Sequence, residues 1–182
     1  MTLNDDVLSQ VRSFIQTGHF AEACGLLSAC EGPHAKDKSS CEHLGKDQVQ
    51  ELLCYAAGYA GSSSVMEQLL RMGASADCRC ESTDHILTRV INTGSYHGLS
   101  SLLEMETLLK HGANPNSIAV GLGEQPILHY AIKNMRLPHA ELLLRYGADP
   151  NLKTLETGRT AFDMAKRYCK AALKLLETSP NK

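Results

Sequence analysis

Three phrases punctuate this 182-residue chain: Leu69-Leu70-Arg71-Met72-Gly73-Ala74, Leu108-Leu109-Lys110-His111-Gly112-Ala113 and Leu143-Leu144-Arg145-Tyr146-Gly147-Ala148. Each is an apolar helical turn stopped by a glycine, which alone takes up the left-handed conformation after a helix without a Cβ penalty. A second apolar segment precedes each phrase: Glu51 to Ala56, His85 to Val90 and Pro126 to Ala131. A further copy of that first segment, Gly158 to Ala165, follows the last. The equivalent positions Cys54, Thr88, His129 and Asp163 are separated by 34, 41 and 34 residues. One such unit has too little apolar surface to fold alone. Phased copies bury Leu and Ala faces against one another, and stability becomes a nearest-neighbour property.

The third unit is the most complete. Pro126-Ile127-Leu128-His129-Tyr130-Ala131 is followed by Leu143-Leu144-Arg145-Tyr146-Gly147-Ala148-Asp149-Pro150-Asn151. This resembles the ankyrin repeat, with its Thr-Pro-Leu-His-x-Ala and Leu-Leu-x-x-Gly-Ala-x-x-Asn phrases and a period of about 33 residues. The resemblance implies an all-α, ankyrin-like helical solenoid of about four repeats plus an N-terminal capping helix pair. It spans Gln48 to Glu177 and, more weakly, Asp5 to Ser28. One domain is expected over residues 1–182: a helical cap at 1–29, a loop at 30–46, repeats at 47–177 and a tail at 178–182. The family role of His129 is to hydrogen-bond across its turn and hold neighbouring loops. Thr160 is placed to cap its helix through the hydroxyl. Units lacking the Pro and His are expected to have looser turns.

Three stretches depart from the repeat. Cys30 to Lys46 carries Gly32-Pro33, Lys36-Asp37-Lys38 and Ser39-Ser40, the punctuation of a loop. The second unit is longer than its neighbours, which places an insertion, read as a protruding turn, at Gly94 to Ser101. Ile118, Val120 and Leu122 alternate with smaller residues, the pattern of a β-finger.

The remaining chemistry is sparse. Cys30-x3-His34-x6-Cys41-x-His43 offers thiol and imidazole ligands within one loop, but its spacing is not that of a zinc finger. No metal and no cofactor are expected; a metal-binding or redox-sensing loop at Cys30 to His43 is the alternative. Cys78-x-Cys80-x4-His85 is a weaker candidate of the same kind. Cys24, Cys54 and Cys169 fall on apolar helix faces, where buried thiols are inert. Seven cysteines on a chain whose N-terminus lacks the basic and apolar regions of a secretory signal point to reduced thiols rather than a disulfide framework. There is no phosphate-cradling glycine loop, no Gly-x-Ser-x-Gly and no His-Glu-x-x-His. An enzyme is not expected.

The net charge of −2 disfavours nucleic acid and anionic membrane as partners. Lys166, Arg167, Lys170 and Lys174 are read as the solvated face of a C-terminal cap. No run of 18 apolar residues is present. The resemblance implies a protein partner, met by the concave face and finger tips of an adaptor, regulator or inhibitor; a monomer is expected, and the cysteine usage points to the cytoplasm. Narrower versions are an immunity protein or an effector exported by a specialised machine. The residues at the corresponding positions are Tyr55, Tyr59, Arg79, Arg89, Asn92, Thr93, Ile118, Val120, Leu122, Lys133, Asn134, Leu155 and Arg159.

Overall fold

The computed structural model describes residues 3–30, 44–80, 84–93, 101–119 and 123–178. Among them the chain forms ten helices in antiparallel pairs: α1 (Leu3–Thr17) with α2 (Phe20–Ala29), α3 (Lys46–Ala56) with α4 (Ser63–Arg71), α5 (Ile86–Thr93) with α6 (Ser101–Lys110), α7 (Ile127–Lys133) with α8 (Leu137–Arg145), and α9 (Ala161–Tyr168) with α10 (Ala171–Thr178). The first helix of each pair belongs to an inner row and the second to an outer row. Each outer helix packs on the next, α2 on α4 and so on to α10. The inner row is continuous from α5 through α7 to α9, and α1 packs on α3, but α3 and α5 barely touch. This is the all-α helical repeat expected from the phased phrases.

The core runs between the rows. Leu52, Leu69, Leu87, Leu108, Ile127, Leu143 and Leu176 are fully buried, and Ala56, Ala131 and Ala165 let neighbouring helices approach closely. The glycine stops behave alike. Gly73, Gly112 and Gly147 have φ of +99°, +90° and +93°. The amides of Ala74, Ala113 and Ala148 then reach back to the carbonyls of Leu69, Leu108 and Leu143 at 3.1, 3.0 and 2.9 Å. This returns hydrogen bonds to carbonyls that a helix end leaves open.

Two features differ from the sequence reading. Glu51 to Ala56 stands where the family turn phrase belongs, yet it is the C-terminal half of α3, which starts at Lys46. No proline or threonine breaks the helix there, and Gly45 begins it, its amide donating to Gln48 Oε1 at 3.0 Å. Ser101, assigned to the inserted turn, opens α6 and is buried. The rest of that insertion, 94–100, lies outside the described residues.

Polar clamps tie consecutive units together. Asp77 Oδ1 accepts from the Asn114 amide at 2.9 Å, and Asn116 Oδ1 from the Asp149 amide at 2.8 Å. His129 Nε2–H donates to the Arg159 carbonyl at 3.1 Å, joining the third unit to the fourth. Its burial holds the imidazole below its ordinary pKa. The outer row has clamps of its own. Glu104 on α6 accepts from the Gly61 amide at 2.7 Å, at the start of α4, and His139 on α8 meets Ser101 Oγ at 2.8 Å, at the start of α6. At the C-terminal end Thr160 and Asp163 cap α9 reciprocally, which holds the Asp163 carboxyl below the usual range.

Candidate interaction face and thiol cluster

The gap between α3 and α5 is a cleft of about 560 Å³ on the inner-helix side. Its walls come from four elements: Arg12 on α1, Glu51 and Tyr55 on α3, Arg79 on the finger after α4, and Arg89 on α5. Arg12 pairs with Glu51, and its guanidinium lies 5.8 Å from the Tyr55 ring centre. Arg89 lies against Gly58. A Cβ at Gly58 would sit 3.1 Å from its terminal nitrogen, so the absence of a side chain makes room for the guanidinium beside the C-terminal end of α3. Helix C-termini carry partial negative charge, which favours a cation there. The Nε–H groups of both Arg12 and Arg89 are buried without a hydrogen-bond acceptor. Burial of such donors is costly, and each one needs an explanation.

Tyr55 and Tyr59 lie one helical turn apart, their hydroxyls 3.0 Å apart and their ring centres 5.1 Å apart. The hydrogen bond to Tyr59, with partial burial, raises the Tyr55 pKa. Other residues singled out from the sequence serve the stack. Asn92 Oδ1 accepts from Tyr130 of the next unit at 2.6 Å. Thr93 Oγ1 donates to the Ala57 and Arg89 carbonyls at 3.2 and 2.9 Å. Arg159 is partly buried, and its carbonyl is the one His129 holds. Lys133 and Asn134 are exposed at the end of α7, and Leu155 is 67% exposed on the loop before α9.

The predicted finger forms in part. β1 (Ile118–Ala119) pairs antiparallel with β2 (Gln125–Pro126), Ile118 opposite Pro126. Ile118 is 37% exposed while Ala119 is buried. Val120 and Leu122 lie outside the described residues, as do His34, Cys41 and His43 of the loop considered for metal; Cys30, the fourth member of that set, is buried at the end of α2. The structure therefore joins Arg79, Arg89 and Tyr55 at one cleft and leaves Ile118 and Leu155 on separate tips. Arg12 was not singled out from the sequence. Its position 39 residues before Glu51 offers no local signal.

The reading of reduced thiols is corrected at one pair. Cys54 and Cys80 are joined as a disulfide with Cα atoms 5.6 Å apart, within the span a disulfide bridges. Helix α3 thereby meets the finger between α4 and α5. Cys78 remains free, its Sγ 3.7 Å from that of Cys54, and burial pushes its thiol up to about 11. Opposite these sulfurs the finger closes through a bridge between Arg79 and His85. His85 Nε2 lies 3.0 Å from Asp77 Oδ1, and burial lowers its pKa despite that carboxylate.

Paired helices in two rows, glycine-stopped and clamped through their turns, define a helical repeat protein whose units are ankyrin repeats. A family model described as ankyrin repeats (3 copies) matches residues 53–154, and the chain belongs to that family. It is also 41% identical over 76 residues to the ankyrin repeat and LEM domain-containing protein 1 homolog of Caenorhabditis elegans. That match covers 42% of this chain and 10% of the relative, so the likeness reaches a small part of the longer protein. Ankyrin repeats are generally protein-interaction modules and are typically non-catalytic. No described helix is long and apolar enough to cross a membrane.

Proposed function

We propose that this chain is a non-catalytic protein-binding module, an adaptor or regulator that acts as a cytoplasmic monomer. It takes its partner on the inner-helix side, with an acidic group of the partner seated in the cleft between α3 and α5. The observation that carries this reading is the set of three guanidinium groups, Arg12, Arg79 and Arg89, that line one cleft against two carboxylates, Asp47 and Glu51. A carboxylate accepts such donors in short, charge-assisted bonds, and Arg presents them in a fixed fork. Tyr55 and Tyr59 supply rigid aromatic surface beside the site, and Tyr and Arg are the residue types that anchor interfaces most often. Exposed Ile118 and Leu155 extend the surface along the tips.

The test is affinity capture from the native source with three baits: the natural chain, Arg89→Gln and Ile118→Asp. Bound proteins are identified by mass spectrometry, and their affinities are then measured with purified components at low and moderate salt. The reading expects one partner whose binding falls at least tenfold with Arg89→Gln and weakens with salt. A partner held equally by the Arg89→Gln bait, itself shown to be folded by circular dichroism, would remove the cleft from the interface.

A further inference from the structure

Among the described residues, three ligand-bearing side chains converge at one place: the sulfurs of Cys54, Cys78 and Cys80 all lie within 4.8 Å of one another. Their elements explain the convergence. Cys78 and Cys80 are two residues apart on an extended finger arm, and that spacing puts side chains on one face. Cys54 comes from the last turns of α3, against which the finger packs. A disulfide needs two of these sulfurs. The third, at 3.7 Å from Cys54 Sγ, is left over by the disulfide, yet it stands where a ligand shell would put it. Thiolates bound tetrahedrally at about 2.3 Å from zinc lie roughly 3.8 Å from each other.

We propose that Cys54, Cys78 and Cys80, once reduced, form a three-thiolate site for Zn²⁺, with the fourth position open to the cleft for water or a donor from a bound partner. Cys54 and Cys80 line that cleft, so the open position has a path to solvent. Three thiolates on Zn²⁺ leave one net negative charge. Arg12, Arg79 and Arg89 border the same cleft against Asp47 and Glu51, so its lining carries one net positive charge to offset it. Soft sulfur donors select zinc over magnesium or calcium, which take oxygen. The site is gated by oxidation. A dithiol reductant gives two electrons and two protons to the Cys54–Cys80 bond, opening it to two thiols while the reductant closes to its own disulfide. Zn²⁺ then displaces the three thiol protons to water as three Zn–S bonds form.

The experiment uses the full chain, reduced anaerobically with a phosphine and titrated with Co²⁺ as the spectroscopic stand-in for Zn²⁺. Expected is a thiolate-to-cobalt charge-transfer band that saturates at one equivalent and is abolished by one equivalent of Zn²⁺. The unreduced chain gives no band. Cys78→Ser, which keeps the Cys54–Cys80 pair, weakens binding about 100-fold or more. Cys41→Ser, outside the described residues, leaves it unchanged. A second readout needs no variant: with Zn²⁺ present, Cys54, Cys78 and Cys80 resist alkylation together while Cys24 and Cys169 react at their metal-free rates. The absence of a stoichiometric band, a band unchanged by Cys78→Ser, or a band lost with Cys41→Ser instead each overturns the proposal.

Discussion

The bond between His139 and Ser101 makes a pH prediction that can be isolated from the rest of the molecule. His139 is buried, meets Ser101 Oγ through Nε2, and has no partner for Nδ1. Burial, helped by the nearby Arg136 charge, lowers its pKa to about 4 from an ordinary 6.5. The native imidazole therefore stays neutral at pH 5, where an unfolded chain binds a proton on the same ring. Stability is full above pH 6.5 and is lost as the pH falls toward 4. Between pH 7.5 and 5.0 the unequal proton uptake amounts to about 2 kcal/mol, on the order of a 4–8 °C fall in Tm for a chain of this size. His139→Gln keeps a side-chain amide in reach of Ser101 and cannot titrate. Urea unfolding of both proteins at the two pH values gives the difference of differences. His129 and His85, which also titrate low, are present in both and cancel. The natural chain is expected to lose about 2 kcal/mol more than the variant on acidification. Equal losses would refute the assignment of a neutral, buried His139.

Other outcomes follow from single contacts. Gly112 has φ +90° and open space where a Cβ would go, so Gly112→Ala is expected to cost about 1–2 kcal/mol for conformation alone. Gly25, inside α2 with equally open space, should show the reverse, with Gly25→Ala raising stability by about 0.5–1 kcal/mol in the same denaturation assay. Glu104→Ala removes the acceptor from the amides at the start of α4 and should cost about 1–3 kcal/mol, with hydrogen exchange rising first at Gly61 and Ser63. Leu155→Asp on its exposed loop should leave the unfolding midpoint within about 0.5 kcal/mol of the natural chain, so any loss of partner binding by that variant reads on the interface.

What was legible in the sequence is what repeats. The glycine stops, the alanines between inner helices, the His129 clamp and the Thr160 cap each depend on residues within one unit or at one fixed offset. Periodicity announces the stops and the alanines, while the role of His129 is what the ankyrin resemblance implies. The cleft depends instead on exceptions. Arg12 meets Glu51 across 39 positions, and Arg89 fits only because Gly58 lies opposite. The sulfur cluster was half visible: Cys78-x-Cys80 stood out as a pair on a finger, but Cys54 lay on an apolar helix face that gave it an ordinary core role. Only the packing of α3 against the next finger reveals it as the third member. The start of α3 was missed for a local reason. The helix-forming run Gln48 to Leu53 overrode a repeat alignment that wanted a turn.

The outer clamps give the stack a direction. Glu104 closes the start of α4 from the unit that follows it, and His139 holds the start of α6 in the same way. Helix N-termini otherwise present bare amides. A ribosome delivers the chain from its N-terminus, so α4 emerges without Glu104, and α6 without His139, until the succeeding unit is made. Nascent units would thus mature one step behind synthesis. Fraying that begins at the C-terminal end would, in turn, strip α6 and then α4 of closure as it advances.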